Sequence, residues 1–279
     1  MSCVNDVGYA SADPALFIEF CCAIGKAGLK WLQITMERWM IELHHVGTPN
    51  GHKVTIMLEE TGLHYRAIPY NLMNGDHFTP EFRKINPNNK LPAIVDTEPA
   101  DGGGPFALFE TGAILIYLAE KSGKLMPKDF RRRHFALQWL MWQMASLGPM
   151  HGQAHHFIRY APDGQVYGID RYGKEARRLM HVLEYRLREA AYLAEEYSIA
   201  DIACWPWVRA TRMIDISLSD FPAVEKWWLT INERPAILAG TGSKDLATPA
   251  SYGQKRAQLS PEQWSNLFGE RMLAASENG

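Results

Sequence analysis

The chain is short of the features that most directly announce a chemistry. It holds only four cysteines in 279 residues, Cys3, Cys21, Cys22 and Cys204. They form no CxxC pair and no metal-ligand spacing, and three of them crowd the first 22 positions. A disulfide framework is therefore not expected, and a reducing compartment, the cytoplasm, suits the chain best. One-sided charge is missing as well. Against 29 basic residues stand 31 acidic ones, a net charge of −2, so no nucleic-acid or membrane-surface partner is expected. The apolar run "ALFIEFCCAIGKAGL" at 15–29 is interrupted by Glu19 and preceded by Asp6 and Asp13 without any basic residue. It reads neither as a secretory leader nor, at that length, as a membrane span. The glycines of "DGGG" lack the spacing of a phosphate cradle, which sets a nucleotide role aside.

What is present is a chain rich in helix formers, with nine tryptophans and twelve methionines. Residues 1–39 are loosely amphipathic and read as an extension, or as sequence upstream of a start at Met40; the alternative is a helix docked on the body. From Met40 to about Pro127 strands and helices alternate. Strand "IELHHV" leads to helix "GHKVTIMLEETG", with Gly62 as its stop. Strand "YRAIPY" follows, then a polar loop and a short helix "PEFRKI". "LPAIV" and "FALFE" form an antiparallel hairpin, and helix "TGAILIYLAEKSG" closes the unit. The order βαβαββα is that of a thioredoxin-like domain with a mixed sheet. Beyond Asp129 no strand is legible. Helical runs begin near Arg131, at "YGIDRY" and at "YSIADIACWPW", where Ser198 and Asp201 have capping-box spacing, and Pro222 opens a further one. The expected domains are 1–39 (extension), 40–127 (thioredoxin-like), 128–240 (all-helical) and 241–279. In the last of these, "LSPEQWSNLFGERMLAA" predicts one amphipathic helix capped by Ser260, whose Trp264, Leu267 and Phe268 should dock.

Five stretches, "TPNGHKVTIMLEE", "FTPEFRKINPNNKLPAIVD", "LFETGAILIYLAEKSG", "GPMHGQAHHF" and "YSIADIACWPW", together resemble the Nu class of glutathione transferases. The resemblance runs collinearly from Met40 to about Gly240. Members of that bacterial branch act as glutathione-dependent disulfide reductases, and a fungal prion-forming nitrogen regulator is close to it. The resemblance implies glutathione as co-substrate, no metal, and a two-fold homodimer. It implies that Thr48 and Asn50 face the glutathione thiol. It also implies a cis bond before Pro92 that presents the Leu91 backbone to the cysteinyl amide, with Glu110 on the α-ammonium and Thr111 on the γ-glutamyl carboxylate. His77 stands where the reductases carry a glutamine for the glycyl carboxylate, and Arg171 matches an arginine reaching in from the helical half. A free thiol of pKa about 8.5 is only a few per cent ionised at neutral pH. A hydroxyl, an amide N–H₂ and a helix N-terminus beside it would favour the thiolate.

Each position also has a plainer reading: Pro92 as an ordinary strand-start proline, Thr111 as an N-cap, Arg171 as a surface charge. His151, His155 and His156 read as structural or pocket histidines rather than metal ligands, and Cys204 as a buried inert thiol. Tyr160, Phe157, Trp142 and Tyr167 are candidates for an electrophile pocket. Three functions follow. The first is disulfide reduction, with hydroperoxide reduction as a possible addition. The second is glutathione transfer to, or thioether cleavage of, an aromatic substrate. The third is a non-catalytic regulatory module.

Overall fold

The computed structural model describes residues 40–243 and 245–277. The expectations for residues 1–39 lie outside the described residues. The described chain opens with β1 (Ile41–His45), α1 (Pro49–Thr61), β2 (Tyr65–Pro69), α2 (Pro80–Ile85), β3 (Ala93–Asp96), β4 (Phe106–Leu108) and α3 (Thr111–Ser122). The sheet order is β2-β1-β3-β4; β1 runs parallel to β2 and antiparallel to β3, which pairs antiparallel with β4. Leu43 sits across from both Ala67 and Ile94. As the central strand β1 is covered on both faces, and Ile41, Leu43 and His45 are all fully buried.

Local chemistry sets the ends of α1. Thr48 is its N-cap, Pro49 fills the first helical position where a missing N–H costs nothing, and Gly62 ends it in the left-handed region at φ 72°. Because α1 packs against α3 and helices of the second half, residues 51–58 are buried all round.

The second half is helical: α4 (Phe130–Trp142), α5 (Gly148–His155), α6 (Val166–Glu189), α7 (Ile199–Arg209), α8 (Pro222–Asn232) and α9 (Pro235–Gly242). Two wide π turns, Gln143–Leu147 and His156–Tyr160, flank α5. The Ser198–Asp201 capping box forms as expected. The Asp201 carboxylate also accepts from Leu193 N at 3.0 Å and Trp227 Nε1 at 2.9 Å, tying α7 to α8.

The halves are locked at α1. Arg234 grips Glu60 through two bonds of 2.5 and 2.9 Å, and Thr55 Oγ1 donates to Gly240 O at 2.6 Å. A side chain at Gly240 would meet Ile56 N at 2.9 Å, so α9 approaches α1 through a glycine.

The C-terminal stripe docks, although not as one helix. Gly269 breaks it into α10 (Pro261–Phe268) and α11 (Glu270–Glu277). The Ser260–Gln263 capping box opens α10. Trp264 Nε1 donates to Tyr160 O at 3.1 Å, and Phe268 lies against His156 and Tyr160 with ring centres 4.8 and 5.0 Å away. Asn266 Nδ2 reaches Met73 O at 2.7 Å, and Arg83 holds Ala275 O at 3.0 Å. The pair therefore bridges the helical half and the loop after β2.

Candidate active site

The corner after β1 is tight by necessity. A side chain at Gly51 would lie 2.0 Å from Val46 O, and one at Gly47 would lie 2.1 Å from Ala247 O. Within it the Thr48 hydroxyl accepts from Gly51 N at 3.2 Å, satisfying a helix N–H. Its contact to Val46 O, at 3.5 Å, is at the outer limit of a hydrogen bond. Asn50, two residues on, accepts from Trp207 Nε1 at 3.0 Å. An indole N–H can only donate, so the atom facing it is the amide oxygen. Trp207, which sequence reasoning missed, thus turns the Asn50 N–H₂ group the other way.

Asn50 opens onto a cleft of about 560 Å³ between the two halves. Its walls include Lys53, Lys90, Glu110, Thr111, Gln143 and Trp207, with Phe268 of α10 closing one side. The Leu91–Pro92 bond is cis, and Lys90 leads into it on the cleft wall. Thr111 begins α3, whose first backbone N–H groups have no partner within the helix. Glu110 ahead of it sits at φ 68°, a region that costs a non-glycine residue of order 1–3 kcal/mol. Glu110 is one of the residues lining the cleft.

Lys53 is the least expected member. It is buried, one helical turn beyond Asn50, and Nζ donates to Gln143 Oε1 at 2.7 Å and Thr111 Oγ1 at 3.3 Å. No ion pair to it is formed among the described residues. Burial lowers its ammonium from the ordinary lysine range to about 7, with Cys204 and Glu110 opposing that shift. Gln143 reaches it from the π turn, a feature often found where a helix serves a site.

The remaining expected residues stand apart from this cleft. His77 is buried in the loop after β2 with its ring on Phe78, the centroids 3.9 Å apart. Burial lowers it to about 4, so it is neutral near pH 7 rather than a positive charge. Arg171 is exposed on α6, 3.8 Å from Glu175 one turn away, and does not line the cleft. Thr48 lies at the corner behind Asn50 rather than on the wall. Tyr160, Phe157, Trp142 and Tyr167 are not on it either: Phe157 stacks on Tyr172 and Tyr167 is 82 % exposed. The aromatic walls are Trp207 and Phe268. His151 bonds Leu147 O at 2.9 Å and His155 bonds Ala210 O at 3.1 Å, so both hold backbone. Among the described residues no group of three His, Cys, Asp or Glu is arranged to hold a metal ion. Cys204 is fully buried, and burial pushes its thiol well above the ordinary range.

A thioredoxin-like half with a cis-proline, a helical half, and a cleft between them whose described lining includes no cysteine together define the class of fold. The chain belongs to the glutathione S-transferase family. Residues 40–120 match the family's N-terminal domain and residues 169–235 its C-terminal domain. The disulfide-bond oxidoreductase YfcG of Escherichia coli (strain K12) is 54% identical over 198 residues, 71% of this chain and 92% of YfcG. A Pseudomonas putida glutathione transferase solved with one glutathione disulfide bound per subunit is 44% identical with a TM-score of 0.68, covering 75% of this chain and 92% of that one. A family member from Pseudomonas fluorescens pf-5 with two glutathione bound is 41% identical with a TM-score of 0.68, covering 74% and 93%.

Proposed function

We propose that the protein is a glutathione-dependent disulfide-bond oxidoreductase in which bound glutathione supplies the attacking sulfur. One observation carries this reading: the strand-to-helix corner, capped by Thr48, presents an Asn50 amide oriented by Trp207, while Cys204, the one cysteine among the described residues, is sealed in the core. Asn50 N–H₂ and the α1 N-terminus donate to the glutathione sulfur and favour its thiolate. Thr48, behind Asn50, caps α1 by accepting from Gly51 N and so holds that helix N-terminus in place. The thiolate attacks one sulfur of a substrate disulfide, forming a mixed disulfide and expelling the other sulfur, which takes up a proton. A second glutathione thiolate attacks the mixed disulfide, forming glutathione disulfide and releasing the second substrate thiol. The relatives solved with glutathione disulfide and with two glutathione molecules support a site that accommodates both sulfurs.

In this reading Glu110 meets the α-ammonium, Thr111 and the α3 N-terminus meet the γ-glutamyl carboxylate, and the Leu91 backbone before cis-Pro92 pairs with the cysteinyl amide. Lys90, on the wall, is better placed than neutral His77 for the glycyl carboxylate. Arg171 contacts glutathione only by swinging away from Glu175. The reading includes a cytoplasmic homodimer, supported by apolar groups left on the α4 surface, Phe130 at 74 % and Met141 at 48 % exposure. A second reading, transfer to or thioether cleavage of an aromatic substrate, draws on Trp207 and Phe268 as aromatic walls. Turnover of 2-hydroxyethyl disulfide with reduced glutathione, measured beside aryl-halide conjugation, decides between them. Strong disulfide turnover with weak conjugation supports the reductase; activity confined to the aromatic substrate supports the alternative.

A further inference from the structure

Lys53 is a buried cation for which the described residues provide no carboxylate in contact. Two of its three N–H groups are taken by neutral oxygens, Gln143 Oε1 and Thr111 Oγ1. It forms part of the cleft wall beside the free N–H groups of α3. An anion bound by the Thr111 hydroxyl would therefore lie within a few ångströms of Nζ, in surroundings where charges are weakly screened. A buried charge without a counter-ion is costly, and a ligand carboxylate at this point removes that cost.

We propose that Lys53 is the counter-ion of the ligand's γ-glutamyl carboxylate and binds it as the ammonium, so that glutathione binding draws a proton onto the protein. The proposal rests on the glutathione reading and adds to it a residue and a linked proton. The Thr111 hydroxyl transmits the state of Lys53. While Lys53 is an ammonium, Thr111 Oγ1 must accept from it, and the hydroxyl proton points elsewhere, either weakly to Met144 Sδ at 3.5 Å or to the ligand. A neutral Lys53 has a lone pair of its own, which takes the hydroxyl proton and turns it away from the ligand.

The titratable groups bearing on Lys53 are Glu110, from the N-cap of α3, and Cys204, from α7. Gln143, from the π turn, is neutral. Cys204 is held as the thiol by burial, which leaves Glu110 as the carboxylate bearing on Lys53 among the described residues, and the ligand's α-ammonium is expected to occupy it. Lys90 is the other cation along the cleft. Since burial brings free Lys53 to about 7, it is partly neutral at physiological pH and the ligand must recharge it.

The test is calorimetry of the full-length protein with S-methylglutathione, whose blocked thiol contributes no proton. Titration at pH 7.5 in phosphate and in Tris, which differ in ionisation enthalpy, reads the protons taken up. The expected uptake is about three quarters of a proton per subunit, and affinity should fall roughly five-fold between pH 7 and pH 8. Lys53→Arg, charged throughout this range, should bind with no proton uptake and no such pH dependence. Lys53→Met should bind at least about ten-fold more weakly, also without uptake. Wild-type binding with no proton uptake would overturn the proposal alone, as would uptake that persists in Lys53→Arg. Absence of any binding by the wild type would overturn the glutathione reading and this proposal with it.

Discussion

At the scale of single residues the site depends on donors whose direction is set from behind. The Asn50 amide is useful because Trp207 occupies its oxygen. Asn50→Ala removes the sulfur's donor and leaves the Trp207 N–H without a partner. It should lower kcat/KM for disulfide reduction by about 10–100-fold and destabilise the fold by roughly 1–3 kcal/mol. Steady-state kinetics and thermal unfolding would read the two effects. Unchanged turnover would remove Asn50 from the mechanism. Trp207→Phe tests the orienting role separately: the donor atoms remain but the amide is free to flip, so turnover should fall by less than in Asn50→Ala. The corner itself was legible, because Thr48, Pro49, Asn50 and Gly51 are adjacent and each has a local conformational preference. Its supports were not. Trp207 is 157 positions from Asn50, and Gln143 is 90 from Lys53, and no local pattern announces a pairing over such distances. Lys53 carries no local signal of its role, since burial depends on what packs over the helix.

At the scale of elements, closeness of backbone decides the geometry. Helix α1 can leave β1 so sharply only because Gly51 has no side chain to strike Val46 O. Gly51→Ala should cost more than the roughly 1–3 kcal/mol usual for overpacking, since the clash is with backbone and no side chain can move aside. It should also move Asn50 off the cleft. A drop in melting temperature together with lost glutathione affinity would bear this out, whereas an unchanged melting temperature would contradict the tight-corner account. The C-terminal pair α10–α11 closes the cleft through Phe268. Phe268→Ala should open that side, relaxing selection against bulky disulfides while leaving glutathione affinity within a few-fold. KM values across disulfides of increasing size would show it. Composition revealed that this amphipathic stretch must dock, and its N-cap was readable from Ser260, Pro261 and Gln263. The break at Gly269 was hidden, because the glycine interrupts a run whose apolar spacing continues beyond it. The π turns on either side of α5 were hidden for a similar reason: they carry the residue types of an ordinary helix.

At the scale of the whole molecule, packing two halves around α1 buries many titratable groups, and this sets the pH range of stability. Burial lowers His45, His52, His77 and His151 from 6.5 to about 4. Between those values the unfolded chain holds more protons than the folded one, so stability from these groups is full above pH 6.5 and is lost as pH falls toward 4. Asp201, raised to about 6 by burial, acts in the opposite sense, its contribution being lost as pH rises. Four histidines outweigh one aspartate, so chemical denaturation should give a falling unfolding free energy from pH 6.5 to 4.5. A flat profile would show that the histidines are not buried as described. The βαβαββα order and the helical second half were legible because caps, prolines and hairpin residues punctuate each element locally. Where the cleft runs, and that the C-terminal segment helps to close it, depends on contacts between distant segments. The central claim, that the reacting sulfur comes from glutathione and not from the chain, has a direct test: disulfide turnover by a folded variant in which Cys3, Cys21, Cys22 and Cys204 are all replaced by alanine. The account predicts turnover with 2-hydroxyethyl disulfide and reduced glutathione within a few-fold of wild type; loss of turnover with glutathione binding intact would contradict it.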